Sequence, residues 1–140
     1  MGTLTLTPVA SARVRIPWAV VLRSPANLIG LLKLSRHVFK PSQQQPAIVV
    51  VRAGLVVRSA HGNDVIPVLR MDVELANAKG KRIGLLARLR DVLPGRYAFG
   101  LTGRGPGGRV LARGRYTLRV LAWPTGGGAP TMRSIDFKIR

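Results

Sequence analysis

Few residues in this chain could do chemistry. Among its 140 residues there is no cysteine, and the histidines are His37 and His61 alone. Disulfides, thiolate metal sites and a cysteine nucleophile are therefore excluded. His37 stands beside Val38 and Phe39 and reads as a strand residue. His61 and Asp64 share the turn cluster Ser59 to Asp64, but two ligands do not make a metal site. Asp72 and Glu74 are spaced to share one face of a strand, as paired glycosidase carboxylates can be. They alternate with Met71, Val73 and Leu75, so nearby arginines are their expected partners. The sequence contains no nucleophile elbow and no His-Glu-x-x-His helix. Gly103-Arg104-Gly105-Pro106-Gly107-Gly108 spells a dinucleotide loop, whose phosphate grip needs a helix directly after it. An alternating segment follows instead, and Pro106 stiffens the loop, so the stretch reads as a flexible hairpin linker. No catalytic residue, metal site or cofactor is expected.

Charge is the strongest chemical signal. Lys and Arg number 23 against 5 Asp and Glu, a net charge of +18, and 18 of the cations are arginine. Such a balance points to a polyanion: nucleic acid, an anionic cell-surface polymer or acidic lipid. The competing reading is that the arginines are simply the outward half of alternating strands. They are scattered singly from Arg13 to Arg140, with no run longer than Lys81-Arg82. The candidate polyanion-binding residues are Arg82, Arg88, Arg90, Arg96, Arg115 and Arg119, with Arg70 also outward. Single-strand nucleic-acid binders add exposed aromatics for base stacking. Tyr97, Phe99, Tyr116 and Phe137 fall on apolar faces, which leaves Trp18 and Trp123 as the candidates.

The elements that would carry these side chains alternate with a period of two, the mark of half-buried strands. The length fits one domain, and a chain 46% hydrophobic can bury a real core. Residues 1–12 read as a tail or linker. Arg13 to Leu22 reads as extended, with Pro17 confining it to an edge strand or a joining segment within 13–27. Leu28 to Phe39 admits a helix, but Val38-Phe39 ahead of Pro41 favours a strand. Ala47 to Ala53 is the most β-prone stretch, and Gly54 to Val57 continues it after a bend. Leu69 to Leu75 alternates, Asn77 to Gly80 makes a hairpin turn, and Ile83 to Leu89 alternates again. Leu93-Pro94-Gly95-Arg96-Tyr97 and Leu111-Ala112-Arg113-Gly114-Arg115-Tyr116 echo each other. They are expected to pair as a long-looped hairpin, with positive φ at Gly95 and Gly114. Ile135 to Arg140 closes the chain. The expected core is Ile48, Val50, Leu69, Met71, Val73, Ile83, Leu85, Tyr97, Phe99, Tyr116, Leu118, Ile135 and Phe137. The expected fold is all-β, an Ig-like antiparallel sandwich of about seven strands over residues 13–140. No apolar run approaches the ~20 residues a membrane-spanning helix needs.

The Leu93 to Val120 stretch resembles the bacterial Ig-like domain of the flagellar hook-cap (FlgD) type. Gly95 and Tyr97 match its first strand, Gly103 its turn, Gly108 the following step, and Gly114 with Tyr116 its second strand. Leu101 and Thr102 stand where that family usually has Trp and Asp. The wider stretch is similar to C-terminal accessory domains of secreted subtilisin-like serine proteases of actinobacteria. It takes in Val14-Arg15-Ile16-Pro17-Trp18-Ala19, Val38 to Ser42, Arg70 to Leu75 and Leu86 to Arg90. The resemblance implies a non-catalytic module of an exported protein, extracellular or at the cell surface. Its partner would be the protease domain, another domain of the parent or an anionic surface polymer. It also implies that Met1 is an internal start and that the protease triad lies upstream. A basic nucleic-acid- or polyanion-binding protein is the alternative.

Overall fold

The computed structural model describes residues 27–140, and the tail and edge-strand expectations for residues 1–26 fall outside it. Ten strands follow in order: β1 (Ile29–Leu34), β2 (Val38–Phe39), β3 (Ala47–Ala53), β4 (Leu55–Ser59), β5 (Gly62–Ile66), β6 (Val68–Asn77), β7 (Arg82–Val92), β8 (Gly95–Leu101), β9 (Gly114–Pro124) and β10 (Thr131–Ile139). They form an Ig-like β-sandwich of a three-stranded sheet, β1-β3-β8, and a five-stranded sheet, β2-β10-β9-β6-β7. A third pair, β4-β5, stands apart as a two-stranded ribbon. The strand count exceeds the expected seven for local reasons. Leu28 to Phe39 splits between the two sheets, and the supposed turn cluster folds into the β4–β5 ribbon. One pairing, β10 with β2, is parallel. No helix of the described residues is long and apolar enough to cross a membrane.

Alternation sets what each strand hides. From the smaller sheet, Ile29, Leu34, Ala47, Val49, Val51, Ala53 and Leu101 are buried. From the larger, Phe39, Val68, Met71, Val73, Leu75, Leu118, Val120, Ala122, Phe137 and Ile139 meet them. β6 runs between β7 and β9 and loses solvent on both sides, so even its outward Asp72 and Ala76 are buried. The β6–β7 turn is closed as expected: the Asn77 side-chain oxygen accepts from the amides of Lys79 and Lys81 at 2.9 and 3.0 Å. Asn here supplies the acceptor that its turn needs.

Three expectations are corrected. First, β8 and β9 do not pair. β8 lies against β3 in one sheet, and β9 lies between β10 and β6 in the other. The linker between them carries the chain across the sandwich and is itself a small ordered hairpin. The Gly105 amide donates to the Arg109 carbonyl at 2.8 Å, the Leu111 amide to Gly103 at 2.9 Å, and Leu111 packs on the core. Second, the phase of β3 is reversed: Val49 and Val51 are inside, while Ile48 is 40% exposed. A run in which every residue is apolar carries no alternation to reveal its inner face. Leu69 and Ile83 are also exposed, and the pairing register of β6 shifts between Val68 and Arg70. Third, Gly95 does not have positive φ, whereas Gly114 does, at 153°.

The echo has a different meaning from a hairpin. Tyr97 donates its hydroxyl to the Leu93 carbonyl and Tyr116 to the Ala112 carbonyl, each four residues back, the latter at 2.7 Å. Each is a tyrosine tie that pins the incoming loop to the start of its strand. Both rings pack against the core, and Tyr116 stacks on Phe137, which stacks on Phe39.

Removing the Tyr116 hydroxyl as Tyr116→Phe is expected to cost about 1 kcal/mol, the worth of one hydrogen bond. Tyr116→Ala is expected to cost about 3 kcal/mol or more, since the packed ring goes too. Urea unfolding of both variants measures the difference. Gly103 has φ of +80° and an added Cβ would stand 2.8 Å from the Pro41 Cα, while at Gly95 the nearest atom would be 3.8 Å away. Gly103→Ala is therefore expected to destabilise by more than about 1 kcal/mol and Gly95→Ala to be close to neutral in the same assay.

Candidate anion-binding face

Residues directly opposite on antiparallel strands project to the same side of a sheet. That geometry sorts the six candidate arginines. Arg82, Arg88 and Arg90 of β7 stand opposite Ala76, Asp72 and Arg70 of β6. Arg119 of β9 stands opposite Glu74, and Arg115 opposite Lys138 of β10. These five share the outer face of the five-stranded sheet. Arg96 does not join them: it lies on β8 opposite Arg52, on the other sheet.

Asp72 is the hub of this face. It is 2% exposed, buried beneath arginine side chains. Arg88 grips it with two hydrogen bonds, Nε and one terminal nitrogen each donating at 2.8 Å to a separate carboxylate oxygen. Such a fork on a carboxylate is the strong geometry for this pair. Arg70 approaches the same carboxylate at 3.5 Å as an ion pair, and its buried Nε makes no hydrogen bond. Its guanidinium instead stacks 3.8 Å above the Trp123 ring. A cation over an indole face is attracted by the ring quadrupole. The hydrogen bond from Arg88 holds the Asp72 carboxyl below its ordinary 3.8, against the opposing effect of burial, with Arg70 adding to the attraction. Asp72 in turn raises the Arg88 pKa.

Further along the face, Arg82 is paired with Glu74 at 2.9 Å. Arg119 donates to the Gly80 carbonyl at 2.7 Å. Thr117 and Asp136 share a hydrogen bond at 2.7 Å. Arg90 and Arg115 take part in no ion pair among the described residues. Arg115 and Lys138 border an open cleft of about 340 Å³ that also takes in His37, Thr117 and Asp136. His37 Nδ1 donates to the Asp136 carbonyl at 2.9 Å. Lys138 was not among the candidates, although its alternation with Phe137 and Ile139 marks it as outward.

The remaining motifs do not assemble. His61 and Asp64 sit on the β4–β5 ribbon, and no three His, Asp or Glu side chains of the described residues come together. In the glycine-rich loop the amides of Gly105 and Gly108 are bonded within the loop, and the strand β9 follows it. A phosphate cradle needs such amides free and a helix behind them.

Because the folded-state pKa of Asp72 lies below its unfolded value, the unfolded chain takes up the proton first as acid is added. The stability it contributes is complete above about pH 5 and is lost as the pH falls through the lowered pKa, beneath 3.8. Asp72→Asn is expected to lower Tm at neutral pH, and the gap from the parent protein is expected to narrow as the pH falls from about 5 to below 3.8. Thermal melts across that range check it.

Compared with known proteins, the chain matches no protein-family model and no curated protein sequence.

Proposed function

We propose that this chain is a non-catalytic Ig-like binding module of an exported protein, whose five-stranded sheet meets an anionic polymer through its outer face. The observation that carries the reading is the gathering of Arg82, Arg88, Arg90, Arg115 and Arg119 on that one face, joined by Arg70 and Lys138. Three carboxylates, Asp72, Glu74 and Asp136, share the face. Positive charge remains in excess there, on a protein of net charge +18. Paired arginines stay rigid, while Arg90 and Arg115 are free to neutralise a ligand. The resemblance to accessory domains of secreted subtilisin-like proteases supports placement outside the cell, beside a catalytic domain of the same parent.

The aromatic side chains favour a polymer read by charge over single-stranded nucleic acid. Tyr97, Phe99, Tyr116 and Phe137 pack with the core, and Trp123 has one ring face occupied by Arg70. Base stacking needs an open ring.

Polyphosphate immobilised on beads is the probe. Retention at low salt is expected to weaken by at least about tenfold between 50 and 200 mM salt, as counterion release requires. Arg90→Ser with Arg115→Ser is expected to weaken retention at fixed salt without moving Tm, and Arg96→Ser to leave it unchanged. Equal losses from Arg96→Ser and from the pair would show that net charge alone binds, with no dedicated face.

A further inference from the structure

The two sheets part along one side of the sandwich. Among the described residues β7 is bonded only to β6, and β8 only to β3, so each closes its sheet with an edge. An open groove of about 440 Å³ runs between these edges. Tyr97, Phe99 and Leu101 of β8 stand opposite the inward Val51, Val49 and Ala47, and form one wall. Ala87 and Leu89 of β7 stand opposite Val73 and Met71, and form the other. The register of β7 against β6 shifts beside Ala87 and passes over Leu86, which also lines the groove. An extra residue in a strand re-aims a side chain in this way. The buried Met71 and Val73 are the floor.

The linker between β8 and β9 closes one end. Pro106 reaches across it to β7, where a Cβ on Gly84 would stand 2.7 Å from the proline Cγ. Arg104 lines this end of the groove. It is held by the hydrogen bond that a terminal nitrogen donates to the Gly108 carbonyl at 2.8 Å, and by a backbone bridge to Val110. Arg104 is the one charged residue of the lining and forms no ion pair among the described residues. The Tyr97 hydroxyl is already engaged with the Leu93 carbonyl.

Concave sites of this size, with apolar walls and few polar groups, take small molecules. A matching ligand is apolar along its length and carries one negative charge at one end. A polymer of repeated charges would strand most of them against apolar walls. We propose that the groove binds a long-chain fatty carboxylate, with its head on Arg104 and its alkyl chain along β8 from Leu101 towards Tyr97. Those four residue steps give about 14 Å of wall. The site lies between the sheets, so it stands independently of the anionic-polymer reading of the outer face.

Calorimetric titration of the full chain with decanoate, dodecanoate and tetradecanoate, each below its micelle concentration, tests the assignment. One ligand per chain is expected, with affinity rising about fourfold for each added methylene. Arg104→Ser is expected to weaken dodecanoate at least about tenfold, as loss of a charged hydrogen bond does, and to leave dodecanol unchanged. Arg96→Ser removes the same charge elsewhere and is expected to alter neither. Ala87→Phe is expected to fill the groove and abolish binding of both. Should that variant fail to fold, the chain-length series decides. Affinity indifferent to chain length, several dodecanoates per chain, or equal losses from Arg104→Ser and Arg96→Ser would overturn the proposal, the last two showing binding by net charge. Self-association that blocks dodecanoate would also overturn it and identify a second copy as the occupant.

Discussion

The facing rows of small and branched side chains carry this molecule. Ala47, Val49, Val51 and Ala53 of β3 are fully buried, as are Val73 and Leu75 of β6 and Leu118, Val120 and Ala122 of β9. Each such side chain withdrawn from water contributes roughly 1.5–3 kcal/mol for the larger residues, and little else in the chain offers comparable stabilisation. There is no disulfide, and the three ion pairs among the described residues all involve partly exposed arginines. Everything outward is therefore free to be chosen for other purposes, provided that one face of each central strand stays apolar.

What was placed outward is charge, and it is ordered by the carboxylates beneath it. A buried acid is costly unless several donors satisfy it. Asp72 meets that requirement through the Arg88 fork and the approach of Arg70. The same arrangement fixes the guanidinium groups in position, and the Trp123 ring anchors Arg70 from the other side. The carboxylates thus organise the cations more than they neutralise them, since charge remains in excess.

The tyrosine ties explain why one short pattern occurs twice. Two loops must be turned into two strands, one in each sheet, and the same device is used for both. The hydroxyl reaches a carbonyl four residues back while the ring enters the core. A shared local signature is therefore evidence of a shared local task. It is not evidence that the two segments are neighbours.

The alternation of Met71, Val73 and Leu75 with Asp72 and Glu74, or of Phe137 and Ile139 with Lys138, determined strand identity and inner face from the sequence alone. A period of two in mixed apolar and polar residues leaves no other reading. The outward direction of the arginines followed from the same rule, as did the Asn77 turn, whose chemistry is local. Three things were decided only in three dimensions. The phase of β3 was silent in the all-apolar run Ile48 to Val51 and was set by which side met the opposite sheet. Exposure of Leu69 goes with a register shift that exists only between paired strands. The grouping of five arginines on one sheet, with Arg96 on the other, depended on β8 joining β3 while β9 joined β6. Pairing between strands distant in sequence is a property of the packed whole, because the free energy that selects it comes from burying all the faces at once.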